Sequence, residues 1–170
     1  MTRVAALILT FLVTATAGAA GSPVVRVDGR IGPFRIDRTT EVQLRATLGR
    51  PTKAVKVVAE APGGSSGWTL YYRCGRGCRT AYSFNSSTGK LSDFQTSSQR
   101  FVTERGSHVG MKATEAVRRE RAKIGPGCGD DRVIPVGSTR LHTLVLLVWH
   151  GKVDMLVYLG PHSIFYDGLC

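Results

Sequence analysis

The amino-acid sequence predicts an α+β fold: two tandem repeats of a helix plus an antiparallel β-meander, packed as one compact unit. Three observations carry that prediction. Two helix signals have matching punctuation, strand signals follow each of them, and two turns run in parallel, Gly89-Lys90-Leu91-Ser92-Asp93-Phe94 and Gly151-Lys152-Val153-Asp154-Met155-Leu156.

In the first repeat, residues 21–97, Thr40 and Gln43 fit a capping box, Gly49 fits the terminating glycine of a helix, and Pro51 forbids continuation. Leu44 and Leu48 fall one turn apart and form the apolar stripe, so both are expected in the core. Strand signals follow at Trp68 to Arg73 and Thr80 to Phe84, and the turn Asn85 to Lys90 leads into Leu91 to Thr96. Tyr82 and Phe84 share a face opposite Ala81 and Ser83, the pattern of a sheet packed on one side only. Gly63 to Gly67 reads as a loop tip, and the polar stretch 98–108 as a linker.

The second repeat, residues 109–170, opens with a helix from about Thr114 to Ile124, striped by Val117 and Ile124 and stopped by Gly125-Pro126. Strands follow at Leu141 to Trp149 and Val153 to Leu159, joined at His150-Gly151-Lys152. The middle of Leu141 to Trp149 is apolar on both faces, as in an interior strand covered on both sides.

The order of residues 1–20 is that of a cleavable signal peptide: Arg3 is the positive start, Val4 to Val13 the apolar run, and Ala15 to Ala20 the small residues at the cut. The run thins into Thr14, Thr16 and Gly18, short of the ~20 apolar residues a membrane span needs, so no span is expected after cleavage. The expected location is the periplasm or the extracellular space. Cleavage removes Arg3, leaving a net charge one below the chain's +11. So basic a surface, mostly arginine, suits an acidic protein or an anionic envelope polymer, although solvation and base composition account for such a bias equally well.

Four cysteines in an exported chain point to disulfides. Of the three pairings, Cys74 with Cys78 closes a small ring around Gly75-Arg76-Gly77, and Cys128 with Cys170 follows by elimination. On the chain-entropy model the long loop contributes about 4 kcal/mol and the short one about 2. Zinc is disfavoured, because the chain lacks paired CxxC elements and no histidine lies near either pair in sequence.

No catalytic constellation emerges. His142 and His150 stand eight residues apart on one strand, about 27 Å at ~3.3 Å per residue, too far to share a metal. His108 and His162 read as surface residues, and His150 with Asp154 as a turn contact. Gly106-Ser107-His108 lacks the setting of a nucleophile elbow, Gly63 to Gly67 is followed by no Gly-Lys-Ser/Thr, and Asp130-Asp131 has no partner acid. No cofactor is called for. Arg118, Arg119, Arg121 and Lys123, interleaved with Glu115 and Glu120, read as a solvated helix face. Trp68, Tyr71, Tyr72, Arg73 and Arg76, with Arg79 beside them, form the candidate partner-binding group, since Trp, Tyr and Arg are enriched among interface anchors. Strand alternation lets only one of the two tyrosines face a partner. No nucleic-acid motif appears.

Thr40 to Pro51, with its Leu48-Gly49-Arg50-Pro51 ending, resembles the helix motif of the SmpA/OmlA (BamE-like) family, and Tyr82 to Ser87 through Gly89-Lys90-Leu91 is similar to its strand-turn-strand. Tandem copies of such a unit resemble the β-lactamase inhibitor proteins, and that resemblance implies one curved sheet gripping a partner protein. The chain lacks the lipoprotein cysteine, and Lys112 stands where the second helix would want a Thr cap. The reading is therefore of an exported, non-catalytic binding protein. Its alternatives are an envelope-polymer hydrolase and a scaffold linked to outer-membrane assembly. The purified exported form should begin between Gly18 and Ser22; an intact mass that retains Met1 in the envelope fraction would refute the leader.

Overall fold

The structure is a computed structural model that describes residues 21–58, 65–127 and 130–164. The leader, Gly63, Gly64, Cys128 and Cys170 lie outside these residues. The chain begins with three short strands, β1 (Val24–Val25), β2 (Arg30–Ile31) and β3 (Phe34–Arg35), and then helix α1 (Glu41–Leu48). Four longer strands follow, β4 (Lys53–Val57), β5 (Gly67–Gly75), β6 (Cys78–Asn85) and β7 (Leu91–Thr96), and then the short β8 (Val102–Thr103). Helix α2 (Ala113–Glu120) precedes β9 (Gly125–Pro126), β10 (Arg132–Ser138), β11 (Thr143–Trp149) and β12 (Lys152–Leu159).

These strands form two sheets, β3-β2-β1-β8 and β4-β5-β6-β7-β12-β11-β10-β9. Strands take up 47% of the described residues and helices 12%. The α+β class of two helix-plus-meander repeats is thereby corrected: the molecule is mostly β. Each helix is only eight residues long, too short to be stable without the sheet it lies on.

α1 starts as its sequence requires. The Thr40 hydroxyl accepts from the Gln43 amide, the Gln43 side chain accepts from the Thr40 amide at 2.9 Å, and Gly49 closes the helix at φ 78°. α2 starts at Lys112 with no side-chain cap and ends at Glu120, where Arg121 turns left-handed at φ 54°, so the expected extension to Ile124 does not form. Arg105 donates to the Glu120 carbonyl, and the buried Glu120 carboxylate accepts from the Thr103 hydroxyl at 2.6 Å. Two strong contacts thus hold the helix end where it is.

One face of the eight-stranded sheet carries Leu70, Tyr82, Phe84, Phe94, Leu144, Leu146, Leu156 and Tyr158, all buried. α1, α2 and the small sheet cover it, through Leu44, Ala113, Ala116, Val25, Ile31 and Phe34. Tyr82 meets Phe34 edge-on at 5.6 Å and Phe94 at 5.2 Å, and the Tyr158 hydroxyl donates to the Val27 carbonyl at 3.0 Å. Ala81 and Ser83, on the other face, are buried as well, so the expectation of one-sided packing for this strand is corrected. The segment after β12 lies over that face: the Asn85 side-chain Nδ2 donates to the His162 carbonyl at 3.1 Å, and the Ile164 backbone amide donates to Asp93 at 3.0 Å.

Leu144, Val145 and Leu146 are buried on both faces of β11, as their run of apolar residues implied, whereas Leu141 precedes the strand and is 57% exposed. Leu48 and Ile124, read as core stripe residues, are 39% and 46% exposed. Leu48 is the last residue of α1, beside the Gly49 that ends it, and Ile124 follows the end of α2. Residues 98–108 contain β8, which pairs in parallel with β1. Leu44→Ala should cost about 2–5 kcal/mol in denaturant unfolding, and Leu48→Ala under about 1. Equal losses would mean that α1 packs through a different stripe.

Candidate functional site

The β5–β6 hairpin determines where the arginines go. Its register runs from Gly67 opposite Asn85 to Arg73 opposite Arg79, then shifts so that Gly75 meets Cys78. The Cys74–Cys78 disulfide closes the tip, with Cα atoms 5.2 Å apart. Gly75 at φ 145° and Gly77 at φ 69° adopt backbone that a side chain would strain, so the ring depends on both glycines.

Beside this tip lies a cleft of about 790 Å³, lined by Arg73, Arg76, Cys78, Arg79, Ser97, Asp154 and Met155. Ser97 is fixed against the hairpin: the Arg79 amide donates to its hydroxyl at 3.1 Å, and its own amide donates to the Arg79 carbonyl at 3.0 Å. Asp154 and Met155 come from β12, two strands away in the sheet. Arg73, Arg76 and Arg79 are exposed. Among the described residues the ion pairs are Arg26–Glu104, Arg30–Asp28, Arg45–Glu41 and Arg119–Glu115, and none involves a cleft arginine. Like charges directly opposite on a β-ladder repel, so the Arg73–Arg79 pair costs stability unless an anion lies between them.

The predicted aromatic group divides by strand parity. Tyr71 faces the arginine side, with the Arg79 guanidinium 6.0 Å from its ring centre. Trp68 and Tyr72 face the core side. Trp68 stacks on Phe84 at 5.6 Å, and Tyr72 packs on Tyr82 and donates to the Gly49 carbonyl at 3.2 Å. The structure therefore places Arg73 and Arg76 along the cleft and Tyr71 with Arg73 along an adjoining hollow that Tyr72 also lines, while Trp68 and the Tyr72 hydroxyl lie toward α1. Arg79 was visible in the sequence only as a neighbour of this group. Ser97, Asp154 and Met155 carried no signal there, because they join the cleft through strand pairing.

A second groove of about 710 Å³ runs between α1 and β4–β5, past Val55, Trp68 and Leu70, where the Trp68 indole nitrogen is buried without a partner. The histidines stay apart. His108 contacts the Val109 carbonyl, His142 lies beside Tyr158, and His150 packs edge-on against Trp149 rather than on Asp154. No group of three metal-ligating side chains forms among the described residues.

No family model matches the chain, and no curated protein matches it in sequence. Two solved structures do resemble it. The uncharacterized protein yfeY from Escherichia coli aligns over 79% of this chain and 98% of its own length, at 11% identity and a TM-score of 0.54. The likeness is one of fold. An extracellular protein containing a SCP domain, from Bacillus anthracis str. Ames, aligns over 72% of this chain at 8% identity and a TM-score of 0.45, and this chain spans 43% of its length.

Buried acids lie away from the cleft. Burial pushes the Asp93 carboxyl up to about 6 against hydrogen bonds from Ser163, the Ile164 amide and Ser92 that pull it down, and nearby Asp37 adds to the rise. Burial likewise raises Asp37, opposed by His162, His142 and Arg38. A folded-state value above the unfolded 3.8 means that the native state holds the proton more tightly. Asp93 therefore favours folding at low pH, and that contribution, on the order of 2–3 kcal/mol, is lost as pH rises from about 4 through 6. Asp93→Asn should flatten this part of the stability–pH curve in urea titrations. An unchanged slope would assign it to another group.

Proposed function

We propose that this is an exported, non-catalytic binding protein that holds an acidic protein or a polyanionic envelope partner in the arginine cleft of the β5–β6 hairpin. One observation carries the reading: Arg73 and Arg79 are opposed across a ladder, with Arg76 at the ring between them and no acid paired to any of the three among the described residues. Arginine forks of this kind match carboxylate and phosphate oxygens in pairs, and they keep their charge at every physiological pH. The disulfide ring and its two glycines hold the tip in one shape, which lowers the entropy that binding must overcome. Tyr71 and Met155 add apolar surface at the rim, so that a partner chain gains contact area as well as charge neutralisation.

Binding of poly-glutamate and of heparin should weaken steeply as salt rises. Arg73→Ala, Arg76→Ala and Arg79→Ala should each slow association and cost about tenfold in affinity at low salt. Tyr71→Ala should speed dissociation, whereas Trp68→Ala and Tyr72→Ala should lower stability and leave the affinity of the folded protein unchanged. Binding that ignores both salt and all three arginine substitutions would place the site elsewhere.

A further inference from the structure

The ring that shapes the cleft is also chemically exposed. Cys74 is exposed and Cys78 half-buried, and Cys78 lines both the large cleft and a smaller hollow of about 270 Å³ beside Thr52, Lys53 and Tyr71. The hairpin is already paired from Gly67–Asn85 to Arg73–Arg79, and on the chain-entropy model closing so short a loop at its free end constrains the unfolded chain far less than closing a long one.

The two sulfurs have different surroundings. The Ser98 amide donates to the Thr96 hydroxyl oxygen at 3.0 Å, the Thr96 and Thr80 hydroxyls are hydrogen-bonded at 2.8 Å, and Thr80 donates to Cys74 Sγ at 3.8 Å. With Thr96 donating onward to Thr80, the chain of donors ends on one sulfur, and each bond polarises the next. Cys74 Sγ is thus provided with a hydrogen-bond donor for negative charge, while Cys78 Sγ is the one presented to the cleft. Arg73, Arg76 and Arg79 line the cleft with Cys78, where their charge attracts an anionic reagent.

We propose that the Cys74–Cys78 disulfide is a thiol-exchange site for a small anionic thiol, attacked at Cys78 Sγ with Cys74 Sγ as the leaving thiolate. In the first step the incoming thiolate forms a bond to Cys78 Sγ, and the electron pair of the Cys74–Cys78 bond departs on Cys74 Sγ, where the Thr80 hydroxyl stabilises it. A second thiolate then attacks the small thiol's sulfur in the mixed disulfide, and Cys78 leaves as its thiolate. Two small thiols are oxidised to their disulfide, the protein disulfide is reduced to a dithiol, and the two protons end on the protein sulfurs or in solvent. An oxidised small disulfide runs the sequence in reverse. Because thiolate leaving groups of low proton affinity depart fastest, these surroundings speed reduction and make the ring a good oxidant.

The test uses the full oxidised protein with glutathione, a thiol of net negative charge, and cysteamine, a positive one, near pH 7. Aliquots are quenched by alkylation and digested with trypsin, which cuts after Arg76 and so separates Cys74 from Cys78. The rate ratio of glutathione to cysteamine should be about tenfold higher at ~20 mM salt than at ~500 mM, and Arg76→Gln or Arg79→Gln should lower it several-fold at low salt. The trapped intermediate should carry glutathione on Cys78 and the alkyl group on Cys74. Thr80→Val should slow both thiols several-fold without changing their ratio, and should that variant not fold, the arginine variants and the position of the trapped glutathione decide alone. A ratio that ignores salt and the arginines, or reduction only in denaturant, would show the bond to be a structural staple, and glutathione trapped on Cys74 would overturn the assignment of Cys78 as the attacked sulfur. The exchange needs no macromolecular partner, and polyanion binding is measured on the oxidised protein, so the two proposals fail separately.

Discussion

The pairing of β7 with β12, from Thr96–Leu156 to Asp93–Leu159, is the constraint on which the rest of the architecture depends. It joins two runs of consecutive strands into one eight-stranded sheet and turns both strands from edges into interior members. An edge strand can leave one row of backbone groups to solvent, whereas an interior one must satisfy every group within the sheet. Phe94 and Tyr158, directly opposed across this joint, are fully buried and supply much of the apolar surface there. The small sheet and both helices pack on that surface. Their own segments are too short to stand without it, since two-residue strands and eight-residue helices gain little from local hydrogen bonding.

The opposite face of the joint is buried with a different chemistry. Asp93 is fully inaccessible, Thr69 and Ser83 hydrogen-bond across β5–β6 at 2.9 Å, and the Ser92 hydroxyl donates to the Ser83 carbonyl or to Asp93. A buried carboxylate survives there because hydrogen bonds from Ser163, Ile164 and Ser92 partly replace its hydration. That face is specified by directional contacts, and the core face by volume and shape. A layer so arranged ties the segment after β12 to the sheet through backbone groups, at His162 and Ile164, with the Ile164 side chain against Gly67.

How much of this was legible follows from which forces are local. The α1 capping box, Gly49, the β5, β6, β7, β11 and β12 strands and the His150-Gly151 turn all lie in contiguous residues, where alternation and turn chemistry act over a few positions. β4 and β10 escaped notice. β4 is an edge strand with two lysines and few buried side chains, and β10 is broken by Pro135 and Gly137, where its register with β11 shifts. β1, β2, β3 and β8 are too short for any period. The sequence overstates helix because clear punctuation marks both helices, although each is only eight residues long in a mostly β molecule. The segment 98–108 looked like a linker because its polar residues Ser98, Thr103 and Ser107 are buried in hydrogen bonds, which polarity alone does not disclose.

The same division between local and distant forces applies to the site. Composition picked out Trp68, Tyr71, Tyr72, Arg73 and Arg76 as a group, but alternation assigns consecutive residues to opposite faces, and the two faces of β5 have unlike neighbours. On one side Trp68 and Tyr72 meet Phe84 and Tyr82, so their area is spent on packing. On the other, Tyr71 and Arg73 lie opposite the buried Ala81 and the exposed Arg79, so that the face opens to solvent toward the hairpin tip. An aromatic side chain on β5 thus serves the core or the other face according to the parity of a single residue. The arginines differ in this respect, because beyond Arg73 the hairpin extends past its sheet neighbours and the ring exposes charge on both sides. The proposed binding surface therefore lies where the sheet ends, at the tip that packing does not reach.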